Sequence, residues 1–178
     1  MYQQQKLRNQ KFYTDTLIGK YKSLTNNTCL QTFANESHFV KAYQMETKAM
    51  AGAALRLFIP DFGVPEKLTS NGAAEQTGPN TEFMRNIRKY GIDHRLSEPH
   101  RPSQNRAESV IQEVKRKWFR QMTKRRVPKR LCDYGIVRVC EAMSLTANSS
   151  FALGGQTPME LVMGETPDIS EYLDFNLL

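Results

Sequence analysis

Three stretches of the sequence place oxygen donors where chemistry could use them. Asp15 stands in the middle of Phe12-Tyr13-Thr14-Asp15-Thr16-Leu17, an aromatic and β-branched run in which a carboxylate is disfavoured by strand propensity and by burial. Asn71 lies in Leu68-Thr69-Ser70-Asn71-Gly72, which reads as a short strand ending in a polar side chain and a glycine. Glu108 lies in Pro102-Ser103-Gln104-Asn105-Arg106-Ala107-Glu108, a loop that runs into a helix with a carboxylate in its first turns. Mg²⁺ takes hard oxygen ligands, usually carboxylates with phosphate and water. Two such ions about 4 Å apart neutralise a phosphate and make a hydroxyl nucleophilic, which is what phosphoryl transfer requires. Carboxylates on two neighbouring strands and a facing helix would form that cluster without a dedicated cage. Taken alone, Asp15 reads more simply as an edge-strand carboxylate facing water, so the surrounding elements have to decide.

Residues 1–11 are polar and basic without periodicity and read as an arm or linker, with structure starting at Phe12. Phe12 to Leu17, Thr28 to Ala34 and Phe39 to Met45 are short strand-like runs separated by Asn-Asn and Asn-Glu-Ser turn chemistry, a three-strand meander. From Thr47 the apolar spacing becomes helical (Ala49, Met50, Ala53, Ala54, Leu57, Phe58), and Pro60 with Gly63 is expected to stop it. A strand over Leu68 to Ser70, a helix near Thr81 to Tyr90 and a strand over Asp93 to Ser97 follow. A long amphipathic helix from about Gln104 to Arg125 carries Ala107, Ile111, Val114, Trp118 and Met122 along one face. Pro128 ends it, a helix over about Lys129 to Leu145 comes next, and a turn of helix is expected at Thr157 to Met163. This order predicts an α/β domain, a mixed five-stranded sheet flanked by helices. We divide the chain into an arm (1–11), a core (12–148) and a C-terminal extension (149–178).

The charge is concentrated. The chain has 178 residues and a net charge of +7, with 39% hydrophobic and 24% charged residues, a composition that suits a globular domain and excludes fibrous or wholly disordered classes. Residues 101–130 hold eleven Lys or Arg against Glu108 and Glu113, a net of +9, so the rest of the chain carries 7 − 9 = −2. One basic stripe of this kind reads either as a polyanion-facing element or as a solvated helix face. No stretch approaches the roughly 20 apolar residues of a membrane span, and the polar start does not resemble a secretion signal. Cys29, Cys132 and Cys140 are odd in number and widely spaced, which suits free thiols better than disulfides or a zinc site.

These residues together resemble the catalytic core of retroviral-type integrases, in particular the copia-type integrases of LTR retrotransposons, a branch of the RNase H-like superfamily. The likeness runs from about Tyr13 to Thr157-Pro158-Met159-Glu160-Leu161. In that family an Asp on the first strand, an Asp at the end of the fourth and a Glu about 35 residues later converge on two magnesium ions. By resemblance the three positions are Asp15, Asn71 and Glu108, which makes them both the catalytic and the metal-ligating set. The family's Ser-Asp-Gly reads here Ser70-Asn71-Gly72, and 36 residues separate 71 from 108. The resemblance implies two Mg²⁺ (or Mn²⁺) ions, DNA partners (element ends and target DNA), a homo-oligomer, and residence in the nucleus or a cytoplasmic retroelement particle. The activity it implies is DNA integration by 3′-end processing and strand transfer, impaired in this copy because Asn71 replaces the second Asp. The alternative is a non-catalytic nucleic-acid-binding or assembly module. No His or Cys precedes Cys29, so the zinc module that the family carries ahead of the core is not within this sequence.

The long helix extends the comparison. Residues 104, 108, 111, 112 and 115 lie within about one helical face. The resemblance assigns Gln104, Asn105, Gln112, Lys115 and Arg116 to DNA contact, with Gln112 in place of the usual basic residue. For Lys115 the competing reading is a solvated lysine. Trp118, Phe119 and Met122 read as core or subunit-interface residues, and the resemblance makes Glu75 a residue that orients the site without ligating. The arrangement predicts Asp15 and Asn71 on neighbouring strands, with Glu108 on a helix facing them and polar groups roughly 4 to 8 Å apart.

Overall fold

The structure is a computed structural model that describes residues 6–97, 105–147 and 154–170, with the side chains of residues 6, 8, 9 and 105–108 outside the description. Five strands form one sheet: β1 (Lys6–Ile18), β2 (Cys29–Asn35), β3 (Val40–Met45), β4 (Val64–Ser70) and β5 (Asp93–Leu96), in the spatial order β3-β2-β1-β4-β5. The first three strands run antiparallel as a meander, and β4 and β5 join β1 in parallel. The helices are α1 (Ala51–Phe62), α2 (Ala74–Thr77), α3 (Glu82–Tyr90), α4 (Asn105–Lys124), α5 (Cys132–Leu145) and α6 (Pro158–Met163).

Strand alternation sends the residues of β1 to opposite faces. Phe12 points into a core with Phe33, Leu55, Phe58, Leu68 and Phe83, while Leu17 joins Leu30, Val110, Ile111, Val114, Ile136 and Val139 on the other face. Phe33 stacks on Phe58 at a centroid distance of 4.6 Å, and Phe12 meets Phe58 edge-on at 5.2 Å. Asp15, two residues before Leu17, belongs to the face that α4 and α5 cover. Every residue of β2 is buried, including Gln31, Thr32 and Asn35, and their side chains are satisfied by bonds into β1 and the β2–β3 turn.

Four boundaries differ from the sequence reading. β1 begins at Lys6, not Phe12, so six residues read as part of an arm belong to the sheet. Strand pairing uses the backbone, and Lys6 and Leu7 pair with Val64 and Pro65 whatever their side-chain polarity. Leu7 buries, and Gln10 is satisfied by Asn35 Nδ2 and by the Leu161 carbonyl. Strand β4 is correspondingly longer than Leu68 to Ser70. Helix α1 runs through Pro60 and ends at Phe62 with Gly63 as its C-cap, so of the two expected stops only Gly63 acts. The hydrogen bond Pro60 removes is the one to the Arg56 carbonyl, both residues are exposed so that water can serve it, and Phe62 holds the last turn against Phe39 and Phe58. The expected helix from Lys129 begins as a single 3₁₀ turn, Lys129–Leu131, before α5. Helix α6 matches its expected span and is anchored by a capping box between Thr157 and Glu160.

Candidate metal and nucleic-acid site

Asp15 and Asn71 meet where β4 ends beside its parallel neighbour β1, which continues three residues further to Ile18. Thr14 lies opposite Ser70 in the register, which places residues 15 and 71 side by side where β4 ends. Asn71 Nδ2 donates to Asp15 Oδ1 at 2.7 Å, closer than the spacing expected for side chains that share an ion, because the amide supplies a hydrogen bond. Asp15 Oδ1 also accepts from the Thr16 backbone N–H at 2.8 Å, and Asn71 Oδ1 accepts from the Ala73 N–H at 3.3 Å. Asp15 is half-buried and Asn71 exposed.

Helix α4 brings the third position to the same face. Val110, Ile111 and Val114 bury against Leu17 and Leu30, so the first turns of α4 lie over the Asp15 side of the sheet. Glu108 stands one turn before Ile111 on this helix, with its side chain outside the described residues. Gln104 lies outside the described residues, as does the side chain of Asn105, the first residue of α4. Gln112, Lys115 and Arg116 are exposed on α4, as are Arg120 and Lys124 further along. Trp118 packs against the second core, but Phe119, one residue or 100° further round the helix, is 66% exposed and takes no part in it.

Several supporting groups were not legible in the sequence. Gln76 on α2 is fully buried and donates from Nε2 to Thr16 Oγ1 at 3.3 Å. Thr16 Oγ1 in turn donates to Gln31 Oε1, and Gln31 Nε2 to Thr14 Oγ1. This buried chain ties the segment after Asn71 to the strand that carries Asp15. The alternation of Thr14 and Thr16 with Phe12 signals that they face inward, but nothing local identifies their partners. Ser70 Oγ and His94 Nε2 lie 2.9 Å apart, and burial holds the His94 imidazole below its ordinary range, against the opposing pull of Asp93. Glu75 sits in the first turn of α2, half-buried.

As they stand, residues 15 and 71 do not fit a divalent cation bound between them. The amide turns an N–H donor toward the carboxylate where the ion would need an oxygen, and its own oxygen is engaged by Ala73. The pair also carries one negative charge where two carboxylates would carry two. Among the described residues, no three His, Cys, Asp or Glu side chains cluster.

The chain matches no protein-family model and no curated protein. Solved structures do match. The catalytic core domain of BIV integrase aligns at a TM-score of 0.65 with 15% identity, covering 92% of this chain and 97% of that one. The HTLV-2 integrase catalytic core, in a trimeric form in complex with magnesium, aligns at 0.63 with 17% identity, over 88% and 97%. The simian T-cell lymphotropic virus intasome in complex with PP2A regulatory subunit B56 gamma aligns at 0.64 with 14% identity, over 95% of this chain and 59% of that one. The element order, the mixed five-stranded sheet and these alignments agree that the chain has the RNase H-like fold of retroviral integrase catalytic cores.

Proposed function

We propose that this chain is an integrase core of the copia-type retroelement lineage, a DNA-binding domain built to join element ends to target DNA and disabled for metal-dependent chemistry by Asn71. One observation carries the reading most: Asp15 and residue 71 lie 2.7 Å apart where β4 ends beside β1, under the helix that bears Glu108. The tripeptide Ser70-Asn71-Gly72 and the 36-residue spacing to Glu108 support the lineage. The division into arm, core (12–148) and extension (149–178), homo-oligomerisation, and a nuclear or particle-bound location belong to the same proposal. No helix among the described residues is long and apolar enough to cross a membrane.

DNA binding falls to the exposed basic side of α4 and the turn after it, where Lys115, Arg116, Arg120, Lys124, Arg125 and Arg126 face solvent. Lys117 is partly committed to Glu113 at 3.0 Å. Each phosphate neutralised contributes about 0.9 to the slope of log affinity against log salt. Fluorescence anisotropy on duplex DNA should show weak sequence preference and a steep salt dependence, and Lys115→Ala should reduce the slope by about one contact. An affinity indifferent to salt would remove the proposed interface.

A further inference from the structure

We propose that Asn71 is a self-modifying site whose conversion to aspartate changes the Asp15–Asn71 pair from a closed, hydrogen-bonded unit into a dicarboxylate that takes a divalent cation. The cation half of this inference rests on the function proposed above; the modification itself rests on the loop. Asn71-Gly72 is the one Asn-Gly step in the sequence. Asn71 is exposed, and Gly72 has φ +77° with nothing within 4 Å of where a Cβ would stand, so no side chain on the following residue crowds the Asn71 amide. The bond from the Ala73 N–H to Asn71 Oδ1 folds the amide back over the Gly72 peptide and polarises its carbonyl.

The reaction needs only water. The Gly72 backbone nitrogen attacks Asn71 Cγ, a C–N bond forms, the Cγ–Nδ2 bond breaks, and ammonia leaves with the proton that the Gly72 nitrogen gives up. Water then adds to one carbonyl of the resulting five-membered imide. Opening at Cγ restores the main chain with aspartate at 71, and opening at the main-chain carbonyl gives isoaspartate. No electrons are exchanged. The product aspartate replaces a donor by an acceptor at a distance of 2.7 Å from Asp15 Oδ1. Two carboxylates at that distance repel unless a shared proton or a cation lies between them, and Mg²⁺ supplies that charge with the hard-oxygen preference such a pair satisfies.

The test ages the full chain in warm, mildly alkaline buffer beside Asn71→Gln and Asn71→Asp. Peptide mass spectrometry follows each asparagine, and thermal melting is recorded with and without Mg²⁺. The expected result is conversion at residue 71 ahead of every other asparagine, no such conversion in Asn71→Gln, and a Mg²⁺-dependent rise in melting temperature in aged protein and in Asn71→Asp that fresh protein lacks. Conversion at 71 no faster than elsewhere would overturn the modification site. Fast conversion to isoaspartate alone would overturn the switch. Fast conversion to aspartate with no Mg²⁺ response in either aged protein or Asn71→Asp would leave the modification standing and overturn the reading of the site.

Discussion

An Asn71→Asp variant should bind Mg²⁺ between about tenfold and about a thousandfold more tightly than fresh wild-type protein. Two unit charges about 4 Å apart interact by roughly 4 kcal/mol at an effective dielectric near 20, and that energy corresponds to about a thousandfold in a dissociation constant. Exposure of residue 71 and the water ligands that replace a missing carboxylate reduce the gain, which sets the lower figure. Without metal the variant should be slightly less stable than wild type, because the bond from Asn71 Nδ2 to Asp15 becomes a like-charge contact, screened by solvent to about 1 kcal/mol. Titration calorimetry and melting curves with and without Mg²⁺ read both effects, which have opposite signs. Equal Mg²⁺ affinity in the two proteins would show that residue 71 is not a ligand position.

The second large effect concerns packing. Gly52 on α1 meets the start of α3, where a Cβ would collide with the Phe83 backbone nitrogen and lie 2.6 Å from the Glu82 carbonyl carbon. These are backbone atoms and cannot rotate away. The Gly52 carbonyl is held there by Asn86 Nδ2 at 2.9 Å, so the two helices cannot separate without breaking that bond as well. Gly52→Ala should therefore destabilise by about 3 kcal/mol, the upper part of the usual overpacking range, which is roughly a 10 °C loss in Tm for a chain of this length. An unchanged Tm would mean that α1 and α3 do not pack as described.

What the sequence made legible here follows from the kind of information each feature uses. The aromatic and β-branched runs of β1 to β3 between their turn residues and the helical stripe of α4 are local patterns, and the elements they mark are present. The candidate positions Asp15 and Asn71 came from the family resemblance, since Asp15 taken alone reads as an edge-strand carboxylate facing water. Their hydrogen bond was not legible, since it depends on the parallel pairing of β1 with β4 across more than fifty residues of chain. The extension of β1 back to Lys6 was hidden for a related reason: backbone pairing with β4 leaves no mark on side-chain polarity. Pro60 misled because its cost depends on whether the orphaned carbonyl meets water, which is a property of the folded surface. Phe119 lies one step around α4 from Trp118 and is exposed, which removes the core half of its expected reading and not the subunit-interface half.

In the proposed function, Asn71 closes a metal-dependent DNA-joining site formed with Asp15 and Glu108. Strand transfer into duplex DNA with Mg²⁺, measured side by side for fresh wild type, Asn71→Asp, and Asn71→Asp carrying Asp15→Asn, tests it most directly, with the Asn71 peptide of each sample checked by mass spectrometry. The account predicts background joining by fresh wild type, clear Mg²⁺-dependent joining by Asn71→Asp, and loss of that joining when Asp15 is replaced. Joining by fresh, unconverted wild type at the rate of Asn71→Asp would contradict it.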